Sequence, residues 1–141
     1  MIDKKLTKHM QQFSDNVCTR MLEDFAIDEG QVEFPEVIVF KGNKLPGDDS
    51  DCIGVYDPDK VQILLTVPKD ALYTEYKKFA NSRVIGSFCT ENSQVRLNVL
   101  FCHELAHWMV DYILKQHTHK HKRAFRVCYA YLRRTCGLYE S

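Results

Sequence analysis

The segment from Ser93 to Leu114, SQVRLNVLFCHELAHWMVDYIL, constrains the fold more than any other. Its apolar side chains fall on nearly every side of a helix, and such a helix is stable only where other elements surround it. It is expected to start near Ser93, a residue suited to N-capping, and to cross the middle of the domain. It does not read as a membrane span, because Arg96, Asn98, His103, Glu104, His107 and Asp111 interrupt its most apolar window, Val95 to Leu114. With 141 residues, 45% apolar and 27% charged, the chain is expected to be one globular domain, 1–141, able to enclose that helix.

The enclosing elements are legible in outline. Leu6, Met10, Phe13, Val17, Met21 and Phe25 recur at spacings of three or four, which predicts an N-terminal amphipathic helix with Gly30 just beyond its end. Val37 to Phe40 is a short apolar run after Pro35. Cys52 to Tyr56 and Val61 to Val67 flank Asp57-Pro-Asp-Lys60, where Asp at the first and Pro at the second turn position suit a hairpin. A short helix is expected from Ala71 to Ala80, and the piece from Asn81 to Cys89 is ambiguous. A last helix is expected over Lys120 to Cys136, with Phe125, Cys128, Tyr129 and Leu132 inward and Gly137 as its stop. Helices around a small three-stranded sheet make the fold class α+β.

Five of the six histidines lie between His103 and His121. His103-Glu-Leu-Ala-His107 matches HExxH inside the central helix. Four residues advance a helix by about 400°, so both imidazoles point the same way about a turn apart and can share one zinc ion. Glu104 is offset by about 100°, beside such an ion rather than on it, where a carboxylate can accept a proton from an activated water. Burying Glu104 without a partner would be costly, and a metal-activated water offsets that cost.

Two histidines leave a third protein ligand to be found. The metzincin continuation HExxHxxGxxH requires glycine at Val110 and histidine at Ile113, and fails. A glutamate ligand on a later helix has only Glu140 to draw on, which excludes thermolysin-type and ImmA/IrrE-type arrangements. Asp111, one turn after His107, is expected to hold an imidazole from behind. The candidates that remain are His117, His119 and His121.

Here the chain resembles the SprT-like (Spartan-type) zinc metalloproteases. In that family the HExxH helix is followed by a histidine opening another helix in the pattern His-Gly-x-x-Phe/Trp. This chain offers His121-Lys-Arg-Ala-Phe125, fourteen residues beyond His107. Arg126, Tyr129 and Leu132-Arg133 also look like that helix. The resemblance implies a zincin-like fold, a C-terminal helix carrying the third ligand, and one Zn2+ held by His103, His107 and His121, with Phe125 packed behind. It implies a metalloendopeptidase acting on a protein or peptide, with Glu104 as general base. The family's glycine is Lys122 here, which keeps His117 and His119 as fallback ligands. The cysteine zinc ribbon that many relatives carry after the protease core has no counterpart within residues 1–141. Specific motifs are confined to the last third of the chain.

Lys+Arg and Asp+Glu are each 19, so bulk charge argues for neither nucleic acid nor membrane. The distribution is uneven, with Lys120, Lys122, Arg123, Arg126, Arg133 and Arg134 concentrated near the last helix. That stretch reads as a solvated face or as a contact for DNA, and the resemblance joins the second reading to proteolysis, since relatives cleave proteins crosslinked to DNA. The rival classes are a nucleic-acid-associated protein and an interaction module with a purely structural zinc. Structural sites usually have four protein ligands, often cysteines, and none of the six cysteines is spaced CxxC or convincingly from these histidines. The cysteines read as small buried hydrophobes in a reducing, intracellular setting. For an oxyanion-stabilising donor, Tyr129, Arg126, His117 and His119 are candidates. An extended substrate is expected to pair with a sheet edge, either the Cys52 to Tyr56 or the Val61 to Val67 strand.

Overall fold

The computed structural model describes residues 1–42, 44–47, 53–67, 93–116 and 121–138. The expected helix from Ala71 to Ala80, the Asn81 to Cys89 piece, and His117, His119 and Lys120 lie outside the described residues.

Helix α1 (Lys4–Asp24) follows from its apolar stripe, with Met10, Val17 and Met21 buried. Asp3 caps it by accepting the Leu6 amide at 3.0 Å. The helix stops well before Gly30, which belongs to a short 3-10 turn, Glu29–Gln31. Its closure is made instead by Ala26 in the left-handed region (φ 52). The Ile27 and Ala26 amides donate to Leu22 and Glu23 carbonyls at 2.9 and 3.3 Å, which satisfies the helix end without glycine. Phe25 consequently leaves the core stripe and packs on Tyr131, ring centroids 5.0 Å apart.

Three strands form one sheet in the order β1-β3-β2: β1 (Glu36–Phe40), β2 (Gly54–Asp57) and β3 (Gln62–Thr66). β1 runs parallel to β3 and β2 antiparallel to it. The Asp57 side chain accepts the Asp59 and Lys60 amides, which fixes the β2–β3 turn as the sequence predicts. The two outer edges differ. On β1, the Val39 and Val37 amides donate to Thr7 Oγ1 (2.9 Å) and Gln11 Oε1 (2.7 Å) of α1, and Ile2 bridges to Phe40. On β2, no strand among the described residues covers the side away from β3. The Val61 to Val67 segment supplies the central strand, so it is not an edge and has no free ladder for a substrate.

Helix α2 (Ser93–Tyr112) behaves as its composition demands. Every residue from Val99 to Val110 is buried, because α2 packs on β2 and β3 on one side and on the last helix on another. Each of its fully buried leucines contributes about 1.5–3 kcal/mol. Trp108 donates its indole N–H to the Glu33 carbonyl at 3.1 Å, tying α2 to the chain before β1. The helix ends at Tyr112, two residues short of Leu114, and Lys115 adopts a positive φ of 55 just beyond it.

Helix α3 (Arg123–Thr135) begins later than expected, with Lys122 as its N-cap and no side-chain capping bond. It closes through Gly137 at φ 68, whose amide and that of Leu138 donate to Arg134 and Arg133 carbonyls. Glycine takes the left-handed geometry of that closure without the steric cost a Cβ would bring. The architecture is therefore α+β, with the HExxH helix central and the other elements disposed around it.

Candidate metal centre

His103 and His107 sit on the same face of α2, 5% and 8% exposed, with ring centroids 5.2 Å apart. Their i, i+4 spacing produces that juxtaposition directly. His121 lies just before the N-cap of α3 rather than within the helix, and is the most open of the three. Its ring centroid is 4.9 Å from that of His103 and 5.0 Å from that of His107. One ligand atom from each histidine falls in a cluster no wider than 4.8 Å.

The donor set fits a transition metal. His103 Nε2 and His121 Nε2 are 3.1 Å apart. Two nitrogens bound tetrahedrally to zinc at about 2.0–2.1 Å stand about 3.3–3.4 Å from each other. Phe125, one turn into α3, backs all three imidazoles, its ring centroid 4.9, 4.6 and 4.7 Å from those of His103, His107 and His121. This apolar floor holds the rings in place and keeps water from one side of the cluster. Tyr129 adds an edge-on contact to His103 at 5.7 Å.

Glu104 is 5% exposed and lies against the edge strand. Gly54 makes that approach possible: a Cβ there would stand 3.0 Å from Leu100 Cδ1 and 3.3 Å from Glu104 Oε2. Gly54 is not legible in the sequence, because nothing local distinguishes a glycine needed for close approach from one in a turn. We expect Gly54→Ala to cost about 1–3 kcal/mol through overpacking and, by displacing the carboxylate, to lower any hydrolytic turnover about tenfold. Metal content should stay at the wild-type value. Denaturant titration beside a turnover assay checks both parts.

Tyr56, equally unmarked in the sequence, fastens the same strand about two turns further along α2. Its hydroxyl donates to Asp111 Oδ2 at 2.9 Å. Burial first, and the Asp111 carboxylate second, push the Tyr56 phenol well above its ordinary pKa, so it serves as a permanent donor. Asp111, expected behind an imidazole, is thus engaged by the edge strand.

The structure sorts the other sequence-derived candidates. The Tyr129 ring is buried, and its hydroxyl receives Arg133 Nη1 at 3.4 Å. Arg126 is exposed on α3. Arg133, grouped above with a possible DNA-binding face, is wholly buried. Its guanidinium donates to the Leu138 carbonyl at the helix closure and lies 5.4 Å from the Tyr129 ring centroid, so it cannot meet a phosphate. Lys122, Arg123, Arg126 and Arg134 remain exposed.

No helix among the described residues is long and apolar enough to cross a membrane. Comparison with protein-family models, curated proteins and solved structures returns no match to this chain.

Proposed function

We propose that this chain is a zinc-dependent metalloendopeptidase of SprT-like type with a zincin-like catalytic core. The observation that carries this reading is the convergence of His103, His107 and His121 beside a buried Glu104 that faces the edge strand. Among the described residues the cluster comprises three donors and no thiolate. That number is typical of catalytic zinc, whereas structural zinc is usually enclosed by four ligands.

His103, His107 and His121 would hold the ion. Zinc bound in such a site lowers the pKa of water toward neutrality and polarises a carbonyl oxygen. Glu104 takes the proton from the water that attacks the scissile carbonyl. It then delivers that proton to the departing amine as the C–N bond breaks, so one carboxylate serves as base and then as acid. The buried setting of Glu104 keeps bulk solvent from competing for the proton.

The peptide is oriented by β2. The Thr66 amide donates to the Ile53 carbonyl at 2.8 Å, and hydrogen-bonded pairs alternate along an antiparallel ladder. The backbone groups of Gly54 and Tyr56 therefore point away from β3, toward an incoming extended chain. The Tyr56–Asp111 bond holds that edge at a fixed distance from α2. DNA-associated proteins are the proposed substrate class, since Lys122, Arg123, Arg126 and Arg134 are exposed where a phosphate backbone can reach them.

The test is cleavage of casein by the zinc-loaded chain, with and without duplex DNA and with and without a chelator. Cleavage that vanishes on chelation and returns with zinc supports the reading. A zinc-loaded chain inert under all these conditions overturns it, and stimulation by DNA that fades with salt supports the substrate class.

A further inference from the structure

Cys102 and Cys136 are separated by 34 positions in the chain, yet their Sγ atoms lie 3.8 Å apart. Cys102 is fully buried in α2, directly before His103. Cys136 is the C-cap of α3 and is only partly buried. Oxidant arriving from solvent therefore meets Cys136 first and finds Cys102 directly behind it.

The surroundings divide the labour. The hydrogen bond from Cys102 and, beyond it, the Arg20 guanidinium pull the Cys136 thiol below its ordinary range, against the opposing effect of burial. Thiolate character is therefore favoured on Cys136, the more open of the two sulfurs. Partial exposure, a nearby cation and a second thiol in reach are the setting in which cysteine is oxidised selectively. The other described thiols, Cys18 and Cys128, are buried. Burial pushes Cys18 up to about 12 and Cys128 up to about 11.

We propose that Cys102 and Cys136 form a peroxide-responsive dithiol whose oxidation staples α2 to α3. Cys136 sulfur attacks one oxygen of hydrogen peroxide, the O–O bond breaks, and the leaving hydroxide takes a proton to become water. The resulting Cys136 sulfenic acid is attacked by Cys102 sulfur, the S–O bond breaks, and the second hydroxide leaves as water with the Cys102 proton. Two thiols and one peroxide become one disulfide and two waters. The sulfurs must close to about 2.05 Å. The staple joins the residue preceding His103 to the far end of the helix that carries Phe125, so it fixes the packing beneath the histidine cluster without consuming a ligand.

The experiment uses the zinc-loaded chain, treated with hydrogen peroxide and mapped by non-reducing peptide mass spectrometry. The expected product is a Cys102–Cys136 linked peptide that dithiothreitol dissolves. The oxidised chain should melt roughly 5–10 °C above the reduced one. Cys136→Ser should yield neither the linked peptide nor the gain in Tm, and Cys18→Ser should retain both. Cys136→Ala stands in if the serine variant fails to fold. The proposal is overturned if the linked peptide is absent, if another cysteine pairing dominates, if Cys136 proceeds to sulfinic acid with Cys102 still reduced, or if the gain in Tm survives removal of Cys136.

Discussion

Glu104→Gln is expected to bind zinc as the wild type does and to cleave peptide bonds about 10²–10⁴-fold more slowly, the usual worth of a positioned general base. The substitution exchanges one carboxylate oxygen for an amide nitrogen at nearly constant volume. The contact with Gly54, where a Cβ would come within 3.3 Å of Oε2, is therefore preserved. Glu104 is not among the three donors that converge, and its offset of about 100° from His103 on the helix explains why. Metal content and folding should consequently be unmoved while proton transfer fails. Metal analysis beside a casein assay separates the two effects. A Gln variant with wild-type turnover would remove Glu104 from the chemistry, whereas loss of zinc would assign the carboxylate to the metal instead.

The parts of the fold that were legible were those written in local periodicity. The near-continuous apolar surface of α2 implied burial on all sides, and every residue from Val99 to Val110 is buried. The spacing of His103 and His107 implied a shared face because a helix converts sequence separation into direction. His121 is different. No local pattern distinguishes it from His117 and His119, and only a family resemblance singles it out. The structure brings it to the other two rings, with Phe125 behind all three.

What could not be read depends on contacts between distant segments. Strand order is one case: Val61 to Val67 and Cys52 to Tyr56 carry similar apolar patterns, yet only the parallel pairing of β1 with β3 makes one central and the other an edge. Arg133 is another. Its charge suggested a solvated face, but the Leu138 carbonyl exposed by the helix closure and the Tyr129 ring give a guanidinium partners inside the protein. The cysteines are a third, since a spacing of 34 carries no signal until α2 and α3 pack together. Ala26 shows the limit of punctuation rules: α1 ends where no glycine stands, and alanine takes the left-handed conformation there despite a steric cost of about 1–2 kcal/mol.

Zinc added in excess to the metal-free chain should raise its Tm, and His121→Ala should abolish that rise. A ligand held only by the folded state stabilises it by about 4 kcal/mol when free ligand exceeds Kd a thousandfold. For a chain of this size that corresponds to roughly 10–15 °C. His121 is the informative position because it lies ahead of α3 and is more open than His103 or His107. Alanine at either of those positions would leave a cavity inside α2's packing and lower the stability of the metal-free protein as well. At His121 the metal-free Tm should stay close to wild type, since substitutions near the surface usually shift stability by about 0.5 kcal/mol or less. The zinc-dependent increment then reports the third ligand alone. Calorimetry on both proteins, with and without zinc, measures it. An undiminished increment in His121→Ala would mean that His103 and His107 recruit another donor, with His117 and His119 the first to be replaced in turn. A vanished increment, with an intact metal-free transition, assigns the third corner of the site to His121.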